Sequence, residues 1–190
     1  MRRLLVLGGI VGSLALLTFG VVSIVLAVNG RDDVHKRIKR EKISGTPDMK
    51  PATQVPPFVT DKPTCDVALK PVTNGSRAKC FADWMRVHAL EATGGKTYAE
   101  LPRFIGKDGK PTEDESKAAK DPKTGQPVEN QTRDVWVTET ALATALNTSY
   151  FAEQEANYAL VVGIIMIIAG LGFLVLTLAV LRPAIEARRT

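Results

Sequence analysis

Two stretches of this 190-residue chain carry no charged side chain, residues 4–28 and residues 159–181. As α-helices they would extend about 37 Å and 34 Å, enough to cross a hydrocarbon layer of about 30 Å with some tilt. The alternative, burial inside a large soluble core, fails on composition. In the intervening segment Leu, Ile, Val and Phe make up 21 of 130 residues, on the disordered side of the usual threshold. The mean hydropathy of +0.01 is therefore a cancellation between two apolar runs and a polar middle.

The sequence predicts an all-α membrane protein, with two transmembrane helices flanking a mostly helical and partly disordered extracytoplasmic segment. Its expected divisions are a cytoplasmic N-terminus at 1–3, a first span at 4–28, an extracytoplasmic segment at 29–158, a second span at 159–181 and a cytoplasmic C-terminus at 182–190. A cleaved signal peptide is the competing reading of the first run, which follows Arg2 and Arg3. Its 25 uncharged residues exceed the roughly 7–15 of a signal h-region, however, and no small-x-small cleavage site precedes Asn29. Arg182 and Pro183 are expected to end the second span sharply, with Tyr150, Phe151 and Tyr158 at its other interface.

Helices in lipid associate by close packing, so small residues mark contact seams. Gly9, Ser13, Gly20, Ser23 and Ala27 form one seam with Leu16, and Gly8 and Gly12 add a Gly-x-x-x-Gly pair beside it. In the second run Ala156, Gly163, Gly170 and Thr177 recur seven apart, a spacing that keeps one stripe toward a partner in a left-handed crossing. The two spans packing on each other as an antiparallel hairpin is the simplest use of Gly8, Gly9, Gly12, Ser13, Gly20, Ser23, Gly163, Gly170 and Thr177. Association with a second copy or with another membrane protein would use the same residues. Neither span holds an ionisable group, which argues against transport by one chain. A pore of several chains would have to be lined by Ser13, Thr18, Ser23 and Thr177.

Orientation follows from charge and cysteine placement. The net charge of +5 divides as +2 before the first span, +1 across residues 29–158 and +2 after the second, so short basic ends favour cytoplasmic termini. The basic cluster from Arg31 to Lys42 argues the other way, diluted by Asp32, Asp33 and Glu41. Both cysteines, Cys65 and Cys80, lie in the middle segment, as expected where it meets an oxidising compartment and bridges them; two free thiols are the alternative. Sequons occur at Asn74, Asn130 and Asn147.

The middle segment divides into parts. Residues 31–43 read as a basic juxtamembrane helix whose Lys36, Arg37, Lys39 and Arg40 would contact lipid head groups. Residues 46–72, with six prolines between Pro47 and Pro71, read as an extended spacer. Asn74, Gly75 and Ser76 signal the start of a helix over 77–93, with Phe81, Trp84, Met85 and His88 at helical spacing. Residues 106–132 read as a mobile loop. A helix over 134–158, with Val135, Leu142, Ala145, Leu146 and Ser149 on one face, leads into the second span.

Chemistry-bearing motifs are sparse. Gly94-Gly95-Lys96-Thr97 resembles the end of a phosphate-binding loop, but Leu90 stands where the earlier glycine should, and the string ends a helix instead of following a strand. Only two histidines occur, His35 and His88, and no spacing of His, Cys, Asp or Glu suggests zinc or calcium. An enzyme would have to use His88 with nearby Glu91. The expectation is no catalytic, metal or cofactor-binding residue, no cofactor, no nucleic acid and no small-molecule substrate. The lipid bilayer, a second copy or another membrane protein is the expected partner.

The stretches Gly45-Thr-Pro-Asp-Met49, His88-Ala-Leu-Glu-Ala-Thr-Gly-Gly-Lys-Thr-Tyr-Ala-Glu-Leu101, Val135-Trp-Val-Thr-Glu-Thr-Ala-Leu and Ala143-Thr-Ala-Leu-Asn-Thr-Ser-Tyr-Phe151 carry a resemblance. It is to an actinobacterial family of two-span membrane proteins of unknown function, and it covers most of the chain. It implies a cytoplasmic-membrane location with an extracytoplasmic middle segment, and no activity assignable to residues. Some members carry a label as aromatic ring-opening dioxygenases. That iron chemistry typically needs two histidines and a carboxylate on one facial site. His35 in a basic helix and His88 beyond a proline-rich stretch are poor candidates for it.

Overall fold

The computed structural model describes residues 2–186. Among these, three α-helices dominate: α1 at Arg2–Arg40, α2 at Gly75–Ala92 and α3 at Thr132–Glu186. A two-stranded antiparallel sheet joins β1 at Phe104–Ile105 to β2 at Pro111–Thr112. The chain forms two compact units, one of Met1–Lys36 with Phe151–Thr190 and the other Arg37–Tyr150. The expected tails fall partly outside the described residues, Met1 at one end and 187–190 at the other.

The first unit is an antiparallel pair of helical segments. Gly20 and Gly163 are where their backbones come closest: a Cβ on Gly20 would lie 2.8 Å from the Gly163 carbonyl oxygen, and one on Gly163 would lie 2.8 Å from that of Gly20. A Cβ on Gly9 would collide with the Thr177 side chain, and one on Gly170 would reach Leu16 and Leu17 at 3.2 and 3.0 Å. Burial follows the seam, taking in Ser13, Gly20 and Ala27 on α1 and Gly163, Gly170 and Thr177 on α3, with Ser23 half-buried. Ser13 donates to Gly9 O and Thr177 to Phe173 O, both at 2.7 Å, so these hydroxyls are satisfied within their own helices. Gly8 and Gly12 depart from the expectation: both are exposed, and a Cβ at either would meet no atom within 4 Å. They sit one step around the helix from Gly9 and Ser13, which turns them off the contact.

Two further boundaries differ from the sequence reading. The first span and the basic stretch 31–43 are not separate helices, because α1 runs unbroken through Asn29 and Gly30 and ends at Arg40. One interior glycine costs only about 1 kcal/mol, too little to stop a long helix. The chain then leaves through Lys42, whose φ of 52° lies in the left-handed region. Pro183 does not end α3, which continues to Glu186. A proline inside a helix removes one hydrogen bond and crowds the preceding turn, which a helix can absorb as a kink instead of a stop.

The second unit has a core where the sequence suggested a spacer. Met49, Val59 and Val67 from the proline-rich 46–72 stretch pack with Cys80, Trp84 and Val87 of α2. Its prolines do exclude helix, but irregular backbone can be satisfied by pairing. Val67 N donates to Met49 O, Leu69 N to Gly45 O and Val72 N to Ile43 O. Gly45 is required there, since a Cβ would run into the Val67 carbonyl. A disulfide joins Cys65 to Cys80, and Trp84 Nε1 donates to Cys65 O at 3.1 Å. Asn74 caps α2, its side-chain oxygen accepting from Arg77 N.

The 106–132 stretch, read as a mobile loop, is tied down by hydrogen bonds. Ile105 N donates to Val128 O, Ala119 N to Ile105 O and Val128 N to Ala119 O, while Asp114 and Asp121 accept amides of their own turns. Low apolar content concealed order built from backbone pairing. The buried face of α3 within this unit is also rotated from the expected one. It carries Trp136, Glu139 and Leu146, whereas Leu142 and Ala145 are exposed. Trp136 decides the rotation by packing with Ala89 and Leu101 while its Nε1 donates to Lys96 O at 2.9 Å.

A cysteine pair at positions 16 and 170 (Leu16→Cys with Gly170→Cys) should crosslink readily in detergent-solubilised protein. Adding Gly20→Leu, an overpacking cost of about 1–3 kcal/mol at the crossing, should suppress that crosslink. Adding Gly12→Leu should leave it intact, and equal effects of the two would contradict the seam described.

Candidate functional site

Charge reappears in the first unit at Arg31, three residues beyond Val28 at the end of the apolar run. Arg31 and His35 are spaced i, i+4, so they share a helix face with Ala27 on the seam. Glu153 lies on α3 at the heptad position preceding Ala156 and Leu160, on the same continuing stripe. These positions bring the three side chains together. Glu153 Oε1 is 3.8 Å from Arg31 Nε and 3.2 Å from His35 Nε2. The Glu153 side chain is only 7% exposed, the imidazole 23% and the Arg31 side chain 50%. The His35 contact lacks the alignment of a hydrogen bond and acts as a charge contact when the ring is protonated.

A buried carboxylate needs cations or hydrogen-bond donors close by, and this one draws cations from the facing helix. The sequence reading missed the cluster, although its signal was present. Extending the seam past the apolar runs, through Ala27 to Arg31 on one helix and back from Ala156 to Glu153 on the other, aligns these residues. A cleft of about 300 Å³ adjoins the cluster, lined on the polar side by Arg31, Asp32, His35 and Asn157.

In the second unit the carboxylate that His88 meets is that of Asp48. The imidazole Nε2 lies 3.0 Å from Asp48 Oδ2, while Glu91 is exposed. The Thr46 hydroxyl, donating to Asp48, holds that carboxyl below the ordinary carboxylate range, with attraction to His88 adding to the effect. The pair fastens the 46–49 turn to α2 across a surface where Asp48 is half-exposed. Gly94 and Gly95, at φ of 64° and 82°, close α2, with Gly94 N bonded to Glu91 O and Gly95 N to Leu90 O. Those amides are occupied by the helix end and do not form a phosphate cradle. Lys36, Arg37, Lys39 and Arg40 are all exposed along the last turns of α1. Among the described residues no three His, Cys, Asp or Glu side chains gather as a metal site.

No known protein family matches the chain, and no curated protein or solved structure does. The resemblance to the actinobacterial two-span family rests on the quoted stretches alone.

In buffer acidic enough to protonate imidazole, His35→Leu removes a counterion from a buried carboxylate, whereas Glu153→Gln removes the buried charge and leaves Arg31 and His35 able to turn toward water. Loss of the partner should cost more than loss of the charge itself. The melting temperature in detergent is expected to fall further for His35→Leu than for Glu153→Gln, and the reverse order would contradict a charge-stabilised Glu153.

Proposed function

We propose that this chain is a two-span protein of the cell membrane, with both termini cytoplasmic and residues 29–158 extracytoplasmic. In this reading it is a non-enzymatic accessory or scaffold subunit that acts through helix–helix and extracytoplasmic contacts. The observation that carries the reading is the outward face of the first unit. Leu5, Val11, Phe19, Leu26, Ile165, Ile168, Phe173 and Leu176 are each more than half exposed. Soluble proteins rarely expose contiguous apolar patches above a few hundred Å², because each large apolar side chain left in water forgoes about 1.5–3 kcal/mol. In lipid the same face needs no cover, and small-residue packing is how such helices associate.

Supporting the outer placement of the middle segment, Cys65 and Cys80 are bridged, as suits an oxidising compartment. The family resemblance points the same way. Against a pore, Ser13 and Thr177 turn their hydroxyls back onto their own helices.

Lys123 lies exposed in the turn stapled by Asp121. A cysteine placed there by Lys123→Cys should react with a membrane-impermeant maleimide on intact cells, and protection until lysis would reverse the orientation. Crosslinking in cells followed by purification in mild detergent should recover a stoichiometric partner or a homo-oligomer. A strictly monomeric, partnerless protein would overturn the scaffold role.

A further inference from the structure

The cleft beside Arg31 and His35 has the chemistry of a lipid head-group site. It straddles the level where the uncharged runs end. Ala27 of α1 and Leu160 of α3 contribute its apolar lining, and Arg31, Asp32, His35 and Asn157 its polar lining. The step from Val28 to Arg31 is about 5 Å along the helix axis, so the lining changes from hydrocarbon-like to charged over the depth of one head group. Its volume of about 300 Å³ is about ten times a water molecule's roughly 30 Å³ share of the liquid.

The charges select among head groups. Arg31, half-exposed and only 3.8 Å from Glu153 through one nitrogen, has further N–H donors for a phosphate. Asp32 is exposed and has no ion-pair partner among the described residues. Asn157 likewise has no side-chain hydrogen bond among them, and its amide can serve a phosphate or glycerol oxygen. A purely anionic head group would satisfy Arg31 and be repelled by Asp32. A quaternary ammonium gives Asp32 charge but no hydrogen bond. A phosphate followed two carbons later by a primary ammonium satisfies both.

We propose that this cleft binds the phosphoethanolamine head group of an aminophospholipid, phosphate toward Arg31 and Asn157 and ammonium toward Asp32. The inference rests on the reading of α1 and α3 as membrane spans. The test reconstitutes the full chain in vesicles of equimolar phosphatidylcholine, phosphatidylethanolamine and phosphatidylglycerol, then measures retained lipids by native mass spectrometry after detergent extraction. Wild-type protein should retain phosphatidylethanolamine over each of the others by roughly ten-fold, the scale of one hydrogen bond to a charged group. Asp32→Asn, an isosteric change at an exposed position, should abolish that preference in favour of phosphatidylglycerol. Arg31→Gln should lower retention of both phosphatidylethanolamine and phosphatidylglycerol. Equal retention of the three lipids by wild type, a wild-type preference for phosphatidylglycerol, or an unchanged profile in Asp32→Asn would overturn the site. Carbonate washing of the same vesicles separates the two claims. Protein that resists extraction but shows no preference defeats only the lipid site, whereas protein that washes off defeats the spans with it.

Discussion

The contact between Gly20 and Gly163 is the constraint on which the first unit depends. At that level each backbone occupies the space a Cβ would need on the other. In the membrane setting proposed for this unit no hydrophobic drive would pull one apolar helix onto another, so association would have to come from contact area, which requires the backbones to approach. Toward the N-terminal end of α1, Gly170 makes room for Leu16 and Leu17, and Gly9 for the Thr177 side chain. The antiparallel register set there carries Arg31 and His35 to the level of Glu153.

The second unit solves a different problem. It has few large aliphatic side chains, and it orders a proline-rich stretch by combining one covalent tie with backbone pairing. The Cys65–Cys80 bridge closes a loop of 15 residues, worth about 3 kcal/mol in the chain-entropy model. Trp84, 1% exposed, fills the space between that loop and α2 and bonds its indole nitrogen to Cys65 O. Trp136 does the same for α3 against Lys96 and Leu101. Two tryptophans thus anchor most of what a larger domain would assign to many aliphatics.

Much of the helical architecture was legible. Charge-free length marked the apolar parts of α1 and α3, seven-residue spacing marked the α3 seam, and Asn74 marked the start of α2. The order in 46–72 and 106–132 was not, because backbone pairing leaves no periodic trace in side-chain type. The buried face of α3 was misplaced for a related reason: Leu142 and Ala145 looked apolar enough to be buried, and the one large residue that fixes the rotation, Trp136, finds its acceptor 40 positions away at Lys96.

By itself the sequence determined which segments are apolar, where small residues permit close approach, and that irregular proline-rich backbone separates α1 from α2, since these follow from side-chain chemistry and local backbone freedom. Only the tertiary structure decided which glycines meet, with Gly9 and Gly20 inward and Gly8 and Gly12 outward, and that Glu153 is buried against Arg31 and His35. It also decided that His88 pairs with Asp48 instead of Glu91. Each of these depends on the register between elements distant in sequence: the seam pattern nominates residues such as Gly9, Gly20, Arg31 and Glu153, but packing sets which of them meet.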